Sequence, residues 1–133
     1  MWFKEVEKRL FSRVKAVVSA KYKTKYQNLN FTMDKSVYEP TALPTVCMWF
    51  YIAERGNDLE NTGINAVDMT IQVKVFVSSG QNIGVAEDIT YAVMQVLKEA
   101  RFNVTMPELE TSEGDSMVLI SRYRRIIGAN DII

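Results

Sequence analysis

Apolar residues near the start of the chain recur at helical steps. Phe3, Val6, Leu10, Val14 and Val17 are three or four apart, and Phe11 and Val18 widen the stripe. Lys4, Glu5, Lys8, Arg9, Arg13 and Lys15 occupy the remaining positions, and neither glycine nor proline interrupts. This spacing predicts an amphipathic helix over 2–20. Tyr22, Tyr26 and Phe31, mixed with Thr24, Asn28 and Asn30, predict a short strand or extended piece after it. Asp34, Ser36, Pro40 and Pro44 predict a loop over 34–45.

The pattern then changes period. Thr45 to Glu54 is apolar at both parities, which predicts a strand covered on both faces. Residues 55–63 are polar with two glycines, a connection too long for a tight hairpin turn. From Ile64 to Ser78 the alternation is regular. Val67, Met69, Ile71, Val73, Val75 and Val77 face one way, and Asp68, Thr70, Gln72, Lys74, Phe76 and Ser78 the other. A strand this long is expected to project in part from the core, or to pair outside it. Val85, Ile89, Val93, Val96, Leu97 and Ala100 return to helical spacing and predict a second helix over 83–101. Phe102 to Val104 reads as a short strand, 105–115 as an acidic loop, and Ser116 to Ile127 as a final strand ended by Gly128. The order predicts one α+β domain over 1–133. It is a two-layer sandwich with a mixed or antiparallel sheet of four to five strands, a long hairpin and two helices on one face.

Composition narrows the chemistry. The chain has 133 residues, 47% of them hydrophobic and 24% charged, the balance of one folded domain. Its longest apolar run, Val46 to Ala53, is far below the roughly 20 residues that span a bilayer. The opening Met1-Trp2-Phe3-Lys4-Glu5 carries charge from the fourth position, so no secretory signal is expected. The single Cys47 reads as a small buried hydrophobe. Without histidine the chain offers neither imidazole acid–base catalysis nor Ser-His or Cys-His nucleophiles. No catalytic, cofactor or metal residue is assigned, and no enzymatic activity is expected.

Charge is balanced overall but unevenly distributed. Residues 1–26 sum to +6, 34–115 to −8 and 116–133 to +2. Separated charge suits association between copies, unless folding mixes the segments and cancels the asymmetry.

Four local motifs have competing readings. The carboxylates of 108–115 match no calcium-loop spacing and read as a solvated loop. Gly80-Gln-Asn-Ile-Gly84 precedes a helix but lacks the residues of a phosphate loop. Lys21-Tyr22-Lys23-Thr24-Lys25-Tyr26 combines charge and rings as single-stranded nucleic-acid binders do, or forms a lysine-protected edge strand. Arg122-Tyr123-Arg124-Arg125 places Arg122 and Arg124 on one strand face and Tyr123 and Arg125 on the other. Its residue types suit a protein interface, a nucleic-acid contact or a solvated strand end.

The layout resembles the tail terminator (tail completion) proteins of tailed bacteriophages and the caps of contractile phage-tail-like particles. The likeness runs through the amphipathic first helix, the proline-led strand Leu43-Pro44-Thr45-Val46 and the alternating strand Met69 to Val77. It continues in the helix Ala86 to Leu97 running into Arg101-Phe102, and in the terminal Arg122-Tyr-Arg-Arg-Ile-Ile127. Arg101 stands where that family usually has glycine. The resemblance implies a structural protein of the virion tail, assembled in the host cytoplasm. It implies a hexameric ring that caps the tail tube, ends its polymerisation and offers a head-joining surface. The implied partners are further copies, the tube protein and head–tail connector proteins, with neither membrane nor sequence-specific nucleic acid. Arg55, Asp58 and Glu60 at the hairpin loop, with Arg122, Arg124 and Arg125, are the candidate interface residues. Another head–tail connector or adaptor, or a small nucleic-acid-binding module, is the alternative.

Overall fold

The computed structural model describes residues 2–26, 28–34, 44–55, 66–78, 83–113, 116–131 and 133. Two helices and five strands follow in the order α1 (Trp2–Lys21), β1 (Asn30–Thr32), β2 (Thr45–Arg55), β3 (Ala66–Ser78), α2 (Ile83–Glu99), β4 (Asn103–Glu113) and β5 (Ser116–Gly128). The strands form one sheet in the order β1-β2-β3-β5-β4. Only β1, parallel to β2, departs from antiparallel pairing, so the sheet is mixed. The fold is the expected α+β arrangement.

The alternation of β3 sets the layers. Its six odd-numbered apolar residues, Val67 to Val77, are all fully buried. They share a core with Leu10, Val14 and Val18 of α1 and with Ile89, Val93 and Leu97 of α2. Both helices therefore lie on one face. Past Val14 the α1 stripe continues through Val18, one helical step on, while Val17 is 48% exposed. Helix α2 lies against β3, β5 and β4, α1 packs beside α2, and Phe50 and Ile52 of β2 join the same core.

β3 does not project. It is the central strand, paired with β2 from Thr45↔Phe76 to Arg55↔Ala66 and with β5 from Ala66↔Gly128 to Ser78↔Ser116. Its length is used along both edges, which satisfies its backbone donors and acceptors.

Two further expectations are corrected. The acidic stretch after Val104 is not a loop: β4 continues to Glu113 along the sheet edge. Its pairing with β5 shifts register between Val104 and Met106 and again between Met106 and Leu109. Those irregularities break the alternation that marks a strand, and Pro107 between them is tolerated at an edge. Lys21 to Tyr26 is not a strand. Tyr22 N–H donates to Val18 C=O at 3.1 Å and Tyr26 N–H to Tyr22 C=O at 3.0 Å, so the segment carries helical turns beyond α1. The extended piece begins only at Asn30.

Helix α2 closes with a left-handed residue. Phe102 N–H donates to Leu97 C=O at 3.0 Å and Arg101 N–H to Lys98 C=O at 2.9 Å. This pair of bonds is a Schellman cap, with Phe102 and Leu97 both in the core. The residue that makes the turn, Arg101, has φ 68°, a conformation that favours glycine.

Candidate interaction surfaces

The sheet face turned away from the helices is built in cross-strand rows. Thr45, Phe76 and Val118 form one; Cys47, Lys74 and Ile120 the next; then Trp49, Gln72 and Arg122; then Tyr51, Thr70 and Arg124; then Ala53, Asp68 and Ile126. The first rows hold a small apolar cluster of Cys47, Phe76 and Val118, with Ile120 against it. Cys47 is buried as expected, its Sγ 3.3 Å from the Asp34 carbonyl oxygen.

The later rows are more open and more polar. Trp49 and Tyr51, two apart on β2, stack with ring centroids 4.6 Å apart and planes inclined by 25°. Tyr51 is 43% and Ile126 49% exposed. Beside the rings, Arg122 Nε donates to Gln72 Oε1 at 2.9 Å. Arg124 grips Asp68 with two nitrogens, Nε to Oδ1 at 2.8 Å and Nη2 to Oδ2. Those bonds fix both guanidinium planes over the sheet, with Arg122 and Arg124 still exposed. No helix covers these rows among the described residues.

The other candidate residues separate. Arg125, paired with Met69, faces the helices. Its Nη1 donates to Ala100 C=O at 2.9 Å, and Nη2 lies 3.7 Å from Asp131 Oδ2. It thus satisfies a carbonyl at the C-terminal end of α2 and lines an open cleft of about 610 Å³ with Arg13, Arg101 and Asp131. Arg55 ends β2 opposite Ala66. Asp58, Glu60 and the Gly80–Asn82 part of the glycine motif lie outside the described residues. Among the described residues no acidic, cysteine or histidine group is arranged to hold a metal ion, and no helix is long and apolar enough to cross a membrane.

A scan against protein-family models and a search of the curated proteins both find no match to this chain.

The tyrosines of the lysine–tyrosine tract turn inward, while its lysines stay exposed. Its helical turn puts Tyr22 and Tyr26 four apart on one side, with ring centroids at 4.9 Å. Tyr22 Oη donates to Asp88 C=O at 2.9 Å, Tyr26 Oη to Asp88 Oδ2 at 3.1 Å, and Lys25 Nζ lies 3.3 Å from the same oxygen. Burial, reinforced by the Asp88 charge, raises the Tyr22 hydroxyl above its usual 10.0. The tyrosines are spent on joining the end of α1 to the first half of α2. An edge strand would set Tyr22, Thr24 and Tyr26 on one face; the four-residue spacing of the two tyrosines is the signal for a helical turn instead.

The surface of α1 keeps its charge. Every lysine and arginine between Lys4 and Lys25 is exposed, and Glu7 is buried with Lys4 Nζ 3.2 Å from its Oε2. Glu5 lies 3.8 Å from Lys8. Lys4 and Lys8 pair within α1, and Lys25 pairs across the segments with Asp88.

Proposed function

We propose that this chain is a structural assembly protein of the tail-terminator type. Copies join as a ring on the end of a phage tail tube, halt its growth and present a surface for head joining. The observation that carries the reading, beside the sequence resemblance, is the open end of the outer sheet face. Stacked Trp49 and Tyr51 next to pre-oriented Arg122 and Arg124 are the residue types that dominate protein interface centres. Their fixed geometry lowers the entropy lost on docking. The lysine–tyrosine tract gives little support to the nucleic-acid alternative, because Tyr22 and Tyr26 bond to Asp88 and are not presented as a stacking platform.

The test is light scattering of the purified protein across concentration and salt, with negative-stain imaging and incubation with tube protein of the same virus. Six-membered rings, or caps on tube ends, are expected. Arg122→Glu with Arg124→Glu should weaken capping. A monomer that neither binds nor caps tubes sinks the reading. Binding to a portal or connector protein in place of the tube would assign the chain to the connector alternative.

A further inference from the structure

We propose that the cleft where α1, the closing turn of α2 and the end of β5 meet is a binding site for a phosphate dianion, free or carried by a small molecule. Its volume, about 610 Å³, is in the range of small-molecule sites. Three guanidinium groups from three parts of the chain line it: Arg13 of α1, Arg101 in the turn after α2 and Arg125 of β5. Trp49, Tyr51, Arg122 and Arg124 stand on the opposite face of the sheet, so this site is independent of the assembly reading.

The three arginines differ in how they are held. Arg125 is nearly buried, its side chain 14% exposed, and its Nη1 is fixed by the Ala100 carbonyl at 2.9 Å. Arg13 and Arg101 are exposed and have no acidic partner among the described residues. Two carboxylates also line the cleft. Asp131 is engaged: its Oδ2 accepts Gly128 N–H at 2.8 Å and lies 3.7 Å from Arg125 Nη2. Glu99 is exposed. The lining therefore keeps a cationic excess with two guanidinium groups uncommitted.

The backbone supplies a second, independent sign. Arg101 sits at φ 68°, where glycine is the unstrained choice. A cationic side chain near a helix end is ordinary, and it could be carried at a neighbouring position without that strain. Strain of this kind is kept where the side chain is used. The free carbonyls at a helix end would repel an anion. Here they are occupied: Leu97 C=O accepts Phe102 N–H, Lys98 C=O accepts Arg101 N–H, and Ala100 C=O accepts Arg125.

The chemistry of the donors selects phosphate. A carboxylate offers two oxygens, which one guanidinium fork satisfies. A phosphate dianion carries more charge and more acceptor oxygens, which suits several forks arriving from different directions. A bare ion would fill little of the cleft. Asn130, which can both donate and accept, and the apolar Ala100 and Ile133 line the remaining space and suit a carrier group.

Titration calorimetry of the full chain tests the site, with inorganic phosphate and adenosine monophosphate as probes and chloride holding ionic strength constant. Saturable binding of one molecule per chain is expected. Tighter binding of adenosine monophosphate would assign the cleft to a carried phosphate, and equal or weaker binding to the free ion. Arg13→Gln and Arg101→Gly should each weaken binding roughly tenfold or more, the loss of one charge-assisted contact. Lys15→Gln, which removes the same charge from α1 outside the cleft lining, should bind like wild type. Melting curves check that each variant folds, and Arg101→Gly should melt no lower than wild type. Failure of both probes to saturate overturns the proposal, as does Arg101→Gly binding like wild type, or Lys15→Gln losing as much as Arg13→Gln. Retention of duplex DNA with neither phosphate probe saturating would assign the basic surface to a nucleic acid and also overturn it.

Discussion

Replacing Arg101 by glycine should stabilise the protein, although it deletes a long side chain from the surface. Arg101 makes the turn that closes α2, with φ 68°. The left-handed conformation costs a residue with Cβ about 1–2 kcal/mol, and glycine almost nothing. Glycine gives back about 0.4–1 kcal/mol through the greater freedom of the unfolded chain. The two cap bonds, from Arg101 N–H to Lys98 C=O and from Phe102 N–H to Leu97 C=O, are backbone bonds and survive the change. Arg101 is exposed, so the lost side chain removes little packing. The net gain is about 0.5–1 kcal/mol, or roughly 2–4 °C in Tm for a chain of this size. Arg101→Ala is the control. It removes the guanidinium but keeps Cβ, and should leave Tm within about 1 °C, near the ±0.5 kcal/mol of ordinary surface changes. Differential scanning calorimetry and urea unfolding of the three proteins measure both quantities. A glycine variant no more stable than the alanine variant would show that the strain is absent and refute the reasoning. If glycine stabilises, the arginine is retained at a cost, and its place on the rim of the cleft with Arg13 and Arg125 is where to look for the compensating role.

Other outcomes follow from buried polar groups and titration. Thr90 Oγ1 is buried in α2 with no hydrogen-bond partner among the described residues, so Thr90→Val should raise stability by about 1 kcal/mol in urea melts; a loss would mean the hydroxyl has a partner. Tyr123 is fully buried and its hydroxyl donates to Ser121 Oγ at 2.8 Å. Tyr123→Phe should cost about 1 kcal/mol, and an unchanged midpoint would deny that bond any net value. Tyr22 has its folded-state pKa raised above 10.0, chiefly by burial and then by the Asp88 charge. The stability this confers is present in full below pH about 10 and is lost as pH climbs through the raised value. Urea melts between neutral pH and pH about 11 should therefore show a decline that Tyr22→Phe flattens; equal slopes in both proteins would count against it.

Elements with one uninterrupted period were legible in the sequence. The α1 stripe and the alternation of β3 each follow a single rule over many residues, and their burial follows the rule. β4 was not legible, because its two register shifts reset the alternation and its proline and glutamates argue locally for a loop. Its strand state comes from pairing with β5, a strand the sequence did announce, and nothing within β4 itself signals that pairing. The lysine–tyrosine tract failed for a related reason. Alternation of two residue types suits a strand, yet what orders the tract is Asp88, over sixty residues away. For the surfaces, strand parity correctly separated Arg122 and Arg124 from Arg125. The stacked rings beside them needed the β2–β3–β5 register, which sets Trp49 and Tyr51 in the same rows as those arginines.

The central place of β3 governs how the chain reaches this structure. One neighbour, β2, immediately precedes it and can zip onto it as a hairpin. The other, β5, lies 38 residues away at Ser78↔Ser116 and 62 away at Ala66↔Gly128. As the chain leaves the ribosome, β3 therefore waits with one edge open while α2 and β4 are made. Loop closure over such distances makes acquisition of β5 slow, on the millisecond-to-second scale of sheet-rich domains. In that interval a half-built sheet with an apolar face is the species most prone to join the wrong chain, and α2 is the first element positioned to shield it.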